Sequence, residues 1–219
     1  MYIDIHRHSA DKGKADLVMR NLFHNETSHV LDTRFCSVGL HPWQVNNETL
    51  DEDLKCVNDA AGVQNVIALG ETGIDKAISV DHEIQETAFR MQLEMAKKWN
   101  KPLIIHCVRA YDELLSIRKK SKHNKAWIFH WYNAAPQTAF DLIGKGCFLS
   151  FGHMLFKEES RAFKSFLQIP TDSIFLETDD ADVSIAEVYE RAAKLKNITV
   201  KQLQTQIIQN FENCFEIQL

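Results

Sequence analysis

Five apolar runs in this chain end in histidines or carboxylates, and that pattern constrains the fold more than any other feature. The runs read YIDIHRH, VIALGE, PLIIHC, AWIFHW and IFLETD, with His6, His8, Glu71, His106, His130 and Asp179 at or near their ends. Short apolar runs of this kind fit strands buried on both faces of a parallel sheet. An ionisable group at the end of a buried strand is costly unless something binds it. Strand ends restricted to His, Glu and Asp therefore point to a shared metal centre.

Segments with helical periodicity lie between the runs, so the chain reads as alternating βα units. Helices are expected over 48–61, 82–99, 110–121, 136–145, near 157–167, 184–196 and 199–215. Strands are expected over 2–8, 34–41, 65–71, 102–107, 126–131, 147–151 and 174–179. Within 82–99, Ile84, Ala88, Met91, Met95 and Trp99 recur at helical spacing and predict the packed face. Asn100 and Pro102 then stop the helix. Seven strands with alternating helices imply a barrel, and DLVMRNLF at 16–23 supplies the eighth strand. The first crossover then falls within residues 9–15, which is too short for a helix. The expected fold is a shortened TIM-type (β/α) barrel with a reduced first βα unit, as a single domain over residues 1–219.

Composition narrows the function. A net charge of −5 argues against a broad basic face for duplex DNA. Bound divalent cations would still supply local positive charge to a nucleic-acid substrate. The five cysteines are dispersed, with no CxxC spacing, and read as reduced thiols of a cytoplasmic protein. No signal peptide is expected, because the chain starts in a strand-like segment, and no apolar run reaches membrane-spanning length. The basic run Arg118, Lys119, Lys120, Lys122 and Lys125 closes a helix, where cations are favoured in any case.

His6 and His8 stand two residues apart on a strand and so share a face. In a parallel barrel the C-terminal rim carries the chemistry, and all six residues could meet there. Imidazole and carboxylate donors without thiolate suit Zn, Mn, Fe or Ni, with Mg at the carboxylate-rich part. Six donors exceed the need of one catalytic zinc, and two ions sharing a carboxylate fit better.

The stretches IDIHRHS, SVGLHPW, IALGETGID, QETAFRMQLEMAKKWNKPLIIH, WIFHWYNAAPQTAFDLIGKGCFLSFG, IFLETD and QNFENCF resemble, in order, the TatD family of metal-dependent hydrolases. The resemblance implies an amidohydrolase-like barrel, one or two divalent ions (Mg, Mn or Zn) and phosphodiester hydrolysis, commonly of DNA. It implies that His6, His8 and Asp179 bind one ion, that His106 and His130 bind a second, and that Glu71 bridges them. Asp179 would also act as general base toward the attacking water, which makes Asp179 and Glu71 the catalytic pair. His41 of the GxHP stretch and Arg109 would contact substrate, and Glu177 would orient a ligand histidine. The expected partner is DNA or a small phosphodiester, without a membrane and without a stable protein partner.

The chain departs from the family pattern around the substrate. Trp131-Tyr132-Asn133-Ala134 stands where the family has Cys-Phe-Ser-Gly, and Asp180 and Asp182 add negative charge after Asp179. Trp131 and Tyr132 could stack a base or pack their own loop. Two other functions therefore stay open: hydrolysis of a small amide, ester or lactone, and metal binding in a scaffold without turnover.

Overall fold

The computed structural model describes residues 1–9 and 15–219. Eight strands form one parallel sheet ordered as in the chain: β1 (Ile3–Arg7), β2 (Leu17–Phe23), β3 (Phe35–Gly39), β4 (Val66–Asp75), β5 (Leu103–Val108), β6 (Trp127–Phe129), β7 (Cys147–Phe151) and β8 (Ile174–Leu176). Seven α-helices are found among the described residues: α1 (Leu50–Ala61), α2 (His82–Trp99), α3 (Tyr111–Ser121), α4 (Pro136–Ile143), α5 (Arg161–Gln168), α6 (Ile185–Lys196) and α7 (Val200–Phe215). This is the topology of a TIM-type (β/α) barrel, as the alternation predicts.

The segment 16–23 is a strand, and β1 pairs with it in parallel, Ile3 opposite Leu17. Residues 10–14 of the expected helix-free crossover lie outside the described residues. The next connection is reduced as well, since a 3₁₀ helix over His24–His29 joins β2 to β3. The first α-helix among the described residues is α1.

Helix ends follow local chemistry. The Asp81 carboxylate accepts from the N–H groups of Glu83 and Ile84 at the start of α2. Ser184 with Glu187, and Thr199 with Gln202, form capping boxes at α6 and α7. Asn100 and Asn197 close α2 and α6 in the left-handed conformation, which asparagine tolerates. The packed face of α2 departs from expectation. Ile84, Ala88, Phe89, Gln92, Leu93 and Ala96 are buried, whereas Met91 is exposed. Phe89 and Leu93 carry the larger contact area, and they rotate the stripe away from Met91.

Three strands also end differently from their apolar runs. β4 continues past Glu71 to Asp75, so Glu71 lies mid-strand. β6 stops at Phe129 and β8 at Leu176, because Trp131 and Asp179 turn the chain in the left-handed region.

The chain divides into two compact units. One comprises Asn21–Ile128. In it β3, β4 and β5 pair in parallel, with Val38 opposite Leu69 and Gly73 opposite His106. Phe89 of α2 meets Trp127 edge-to-face at 5.4 Å in its core. The other comprises Met1–Arg20 and Phe129–Leu219. There β7 pairs with β8, Leu149 opposite Ile174, and Phe151 packs on Phe166 at 5.1 Å. The Asp179 N–H donates to the carbonyl of His6 at 3.0 Å, which ties the turn after β8 to β1.

Candidate functional site

In the unit Asn21–Ile128, the parallel strands β4 and β5 approach closely because the chain is glycine-rich here. A Cβ on Gly73 (φ +158°) would lie 1.8 Å from the His106 carbonyl oxygen. The close approach brings Glu71 on β4 against His106 on β5. Glu71 Oε1 lies 2.6 Å from His106 Nδ1 and 3.1 Å from His41 Nε2, and the two ring nitrogens are 3.2 Å apart. His41 enters from the segment after β3. Its Nδ1 accepts the Trp43 N–H at 3.1 Å, so Nε2 carries the ring proton and aims it at Glu71. All three side chains are buried, and their donor atoms lie within 4.8 Å of one another.

Asp75 holds the far side of His106, with Oδ2 3.1 Å from Nε2. The same oxygen accepts the Trp43 indole N–H at 2.7 Å, and Oδ1 accepts the Ala77 N–H at 2.8 Å. Burial pushes the Asp75 carboxyl up, but the bonds from Trp43, Ala77 and His106 outweigh it and leave it below the usual value. Two buried glutamines of α2 fix the strand ends. Gln92 accepts the Leu40 N–H at 2.8 Å and donates to the Leu40 carbonyl and to Thr72 Oγ1. Gln85 accepts the Asp75 N–H at 2.8 Å and donates to the Asp75 carbonyl.

In the unit formed by Met1–Arg20 and Phe129–Leu219, the residues after β6 and β8 gather around β1. Asp179 Oδ1 lies 3.4 Å from His8 Nε2 and 3.6 Å from His6 Nε2. The rings of His6 and His130 stack at 4.3 Å, tilted by 30°. Glu177 Oε1 is 3.7 Å from His130 Nδ1 and accepts the Trp131 N–H at 2.5 Å. Burial raises the Glu177 carboxyl, yet hydrogen bonding and charge from His130, with the charge of His6, hold it on balance below the ordinary range. Asp4 shares the inward face of β1 with His6, and it accepts from the Thr178 N–H at 3.0 Å and the Thr178 hydroxyl at 2.5 Å. Burial lifts its carboxyl to about 7 against those two bonds. His8, Asp179 and the exposed Asp180 also place donor atoms within 4.8 Å of one another.

These donors fit a divalent cation. Each group combines imidazole nitrogen with carboxylate oxygen and contains no thiolate, the chemistry that suits Zn or Mn. None of the five cysteines is in a disulfide.

Within each unit the predicted residues gather: Glu71 with His106 and His41 in one, and His6, His8, His130, Asp179 and Glu177 in the other. His41 belongs to the ligand-type cluster itself. Arg109, one residue beyond β5, is exposed with a left-handed backbone (φ 56°) and takes no part in the His106 cluster. Arg118 of the basic run is structural, donating to the His123 carbonyl at 2.6 Å and lying 5.3 Å over Trp127. Tyr132 is buried, with its hydroxyl donating to the Ala135 carbonyl. Asp4, Trp43, Asp75, Gln85 and Gln92 were not anticipated. Strand alternation carries the missing signal for two of them, since Asp4 continues the His6, His8 series and Asp75 the Glu71 series.

The family described as TatD related DNase matches residues 24–216. The match covers His41, Glu71, His106, His130, Glu177 and Asp179, while His6 and His8 precede it. An uncharacterized metal-dependent hydrolase of Bacillus subtilis, YabD, is 26% identical over 85% of this chain and 79% of its own. Another, YcfH of Escherichia coli K12, is 27% identical over 83% of this chain and 73% of its own. The crystal structure of YJJV, a TatD homolog from E. coli K12, aligns with a TM-score of 0.89 at 19% identity, covering 99% of this chain and 98% of that one. Matched along most of its length, the chain belongs to the TatD-related DNase family.

Proposed function

We propose that this chain is a divalent-metal-dependent hydrolase that cleaves phosphodiester bonds, with DNA as its substrate, and that it works as a single domain. The observation that carries the reading is Glu71 Oε1 held between His41 and His106 in a buried cluster of N and O donors. Family membership and the names of the metal-dependent hydrolases among its relatives support it.

In this reading His6, His8 and Asp179 would hold one ion and His106 and His130 a second, with Glu71 as a further ligand. Bound divalent ions supply Lewis-acid polarisation of the phosphate and lower the pKa of water toward neutrality. The protein's own part is positioning and proton transfer. Asp179 takes the proton of the attacking water on its carboxylate. The bond from its N–H to the His6 carbonyl fixes its left-handed turn and so its aim. Asp75 and Glu177 lock the rings of His106 and His130 from behind, the arrangement that keeps a ligand imidazole in one orientation. His41, with its proton on Nε2, can donate to a phosphate oxygen once substrate displaces it from Glu71.

A second reading, hydrolysis of a small amide, ester or lactone, is favoured by one observation. Asp180 and Asp182 are exposed, and Asp180 places a carboxylate beside Asp179, which repels a polyanion.

Protein stripped by chelator and reloaded with Mg, Mn or Zn should cut single-stranded or double-stranded DNA, and bis-p-nitrophenyl phosphate, only when metal is present. Asp179→Asn should keep most of the metal but lose at least about 100-fold in kcat, the scale of a lost general base. Full turnover in that variant, or turnover without metal, sinks the assignment. Turnover of small esters or amides alone selects the second reading.

A further inference from the structure

We propose that Trp43 is a stacking platform for a nucleobase next to the scissile phosphate. The proposal rests on the phosphodiesterase reading and adds to it a specificity residue and the part of the substrate that it grips.

The indole is 62% exposed, unusual for so large an apolar surface. It is nevertheless held at two points. Its ring N–H donates to Asp75 Oδ2 at 2.7 Å, and its backbone N–H donates to His41 Nδ1 at 3.1 Å. Pro42 restricts the backbone immediately before it. The ring stands edge-to-face on His41, with centroids 5.0 Å apart at 87°, and lies 6.0 Å from His106 at 74°. The result is a rigid aromatic surface, open to solvent, within one ring's width of two imidazoles of the candidate ligand cluster.

An aromatic plane that needs no rearrangement is what a base requires for stacking, and stacking tolerates any sequence because every base has a π-face. A base inside a duplex already has both faces covered, and freeing one costs unstacking energy. The two aromatics after His130 offer no equivalent surface. Tyr132 is buried, and Trp131 packs against His153 at 4.7 Å.

The first test uses Asp179→Asn protein with Mg²⁺, so that a strand binds without being cut. Indole fluorescence should be quenched by a thymidine pentamer but not by a pentamer of abasic sugar phosphates, and the difference should vanish in the Asp179→Asn, Trp43→Phe double variant. The second test uses the otherwise wild-type chain. The ratio of kcat/KM for base-bearing over abasic strands should fall about tenfold in Trp43→Leu, the lower range of stacking losses, and be largely kept in Trp43→Phe, which retains a ring. Loss of the bond to Asp75 affects both substrates and cancels in that ratio. Equal quenching by the abasic strand, or an unchanged ratio in Trp43→Leu, overturns the proposal. If bis-p-nitrophenyl phosphate is hydrolysed while the base makes no difference, only the platform falls. If no phosphodiester is hydrolysed, the phosphodiesterase reading falls first.

Discussion

Gln92 holds two strands with a single amide. Its carbonyl takes the Leu40 N–H, and its NH₂ reaches the Leu40 carbonyl and the Thr72 hydroxyl, all out of contact with water. Leu40 precedes His41, and Thr72 follows Glu71. Gln92→Leu should leave these backbone groups unpaired and cost about 2 kcal/mol. For a chain of this size that is a Tm lower by roughly 4–8 °C. Catalytic turnover should fall as well, because His41 loses its fixed approach to Glu71. An unchanged melting curve would show that water replaces the amide without loss. The glutamines also mark where residue-level reading stops. His6, His8, Glu71, His106, His130 and Asp179 stand out as a set, because one such strand end is ordinary while five restricted to His, Glu and Asp are not. A glutamine on an amphipathic helix reads as solvent-facing, and only the packing of α2 against β4 and the segment after β3 buries it.

At the scale of the element, β4 decides the geometry of the ligands around Glu71. Its glycines have neighbouring backbone where a side chain would begin. Gly73→Ala would drive a Cβ into the His106 carbonyl oxygen, with 1.8 Å between them. The variant should lose the β4–β5 pairing and accumulate as insoluble protein on expression. Gly146→Ala is the control. Gly146 also has a positive φ of 71°, but nothing lies within 4 Å of its added Cβ. It should cost only about 1–2 kcal/mol of left-handed strain and stay soluble. Equal solubility of the two variants would deny β4 its role. Element positions were readable where periodicity is clean. The extent of α2, residues 82–99, follows directly from its Asp81 cap and the Asn100 stop. The ends of β6 and β8 were not, because their apolar runs continue into Trp131 and the Glu177–Asp179 stretch. There hydrogen bonding to Glu177 and to the His6 carbonyl turns the chain, and both partners are remote in sequence.

For the whole molecule, pH is the lever that His123 controls. It is buried between Trp127, whose indole N–H donates to Nδ1 at 2.9 Å, and the Lys101 carbonyl, 3.0 Å from Nε2. Burial, joined by the charges of Arg118, Lys97 and Lys125, drops its pKa to about 4 from the ordinary 6.5 of histidine. Between those values the unfolded chain binds the proton and the folded chain does not. The contribution of His123 to stability should thus be complete above pH 6.5 and be lost as pH falls toward 4, opposite in sign to that of Asp4, whose raised carboxyl favours the fold as it protonates below about 7. Urea midpoints measured across that range should fall less steeply in His123→Gln than in the parent, and parallel slopes would acquit the histidine. The fold class was legible in the sequence because strand and helix periods alternate along the whole length. The division into Asn21–Ile128 and the remainder was not, as no change in composition marks either border. The glycines of β3 and β4 carry one more consequence, for how such a chain can diversify. At Gly39, Gly70 and Gly73 an added Cβ would lie less than 3 Å from backbone of the neighbouring strand, so single substitutions there are barred by geometry whatever the selective reward. The side chains of Trp43, Asp180 and Asp182 are exposed and meet no such barrier. Lineages built on this scaffold can therefore exchange substrates freely while the ligand-bearing strands stay frozen.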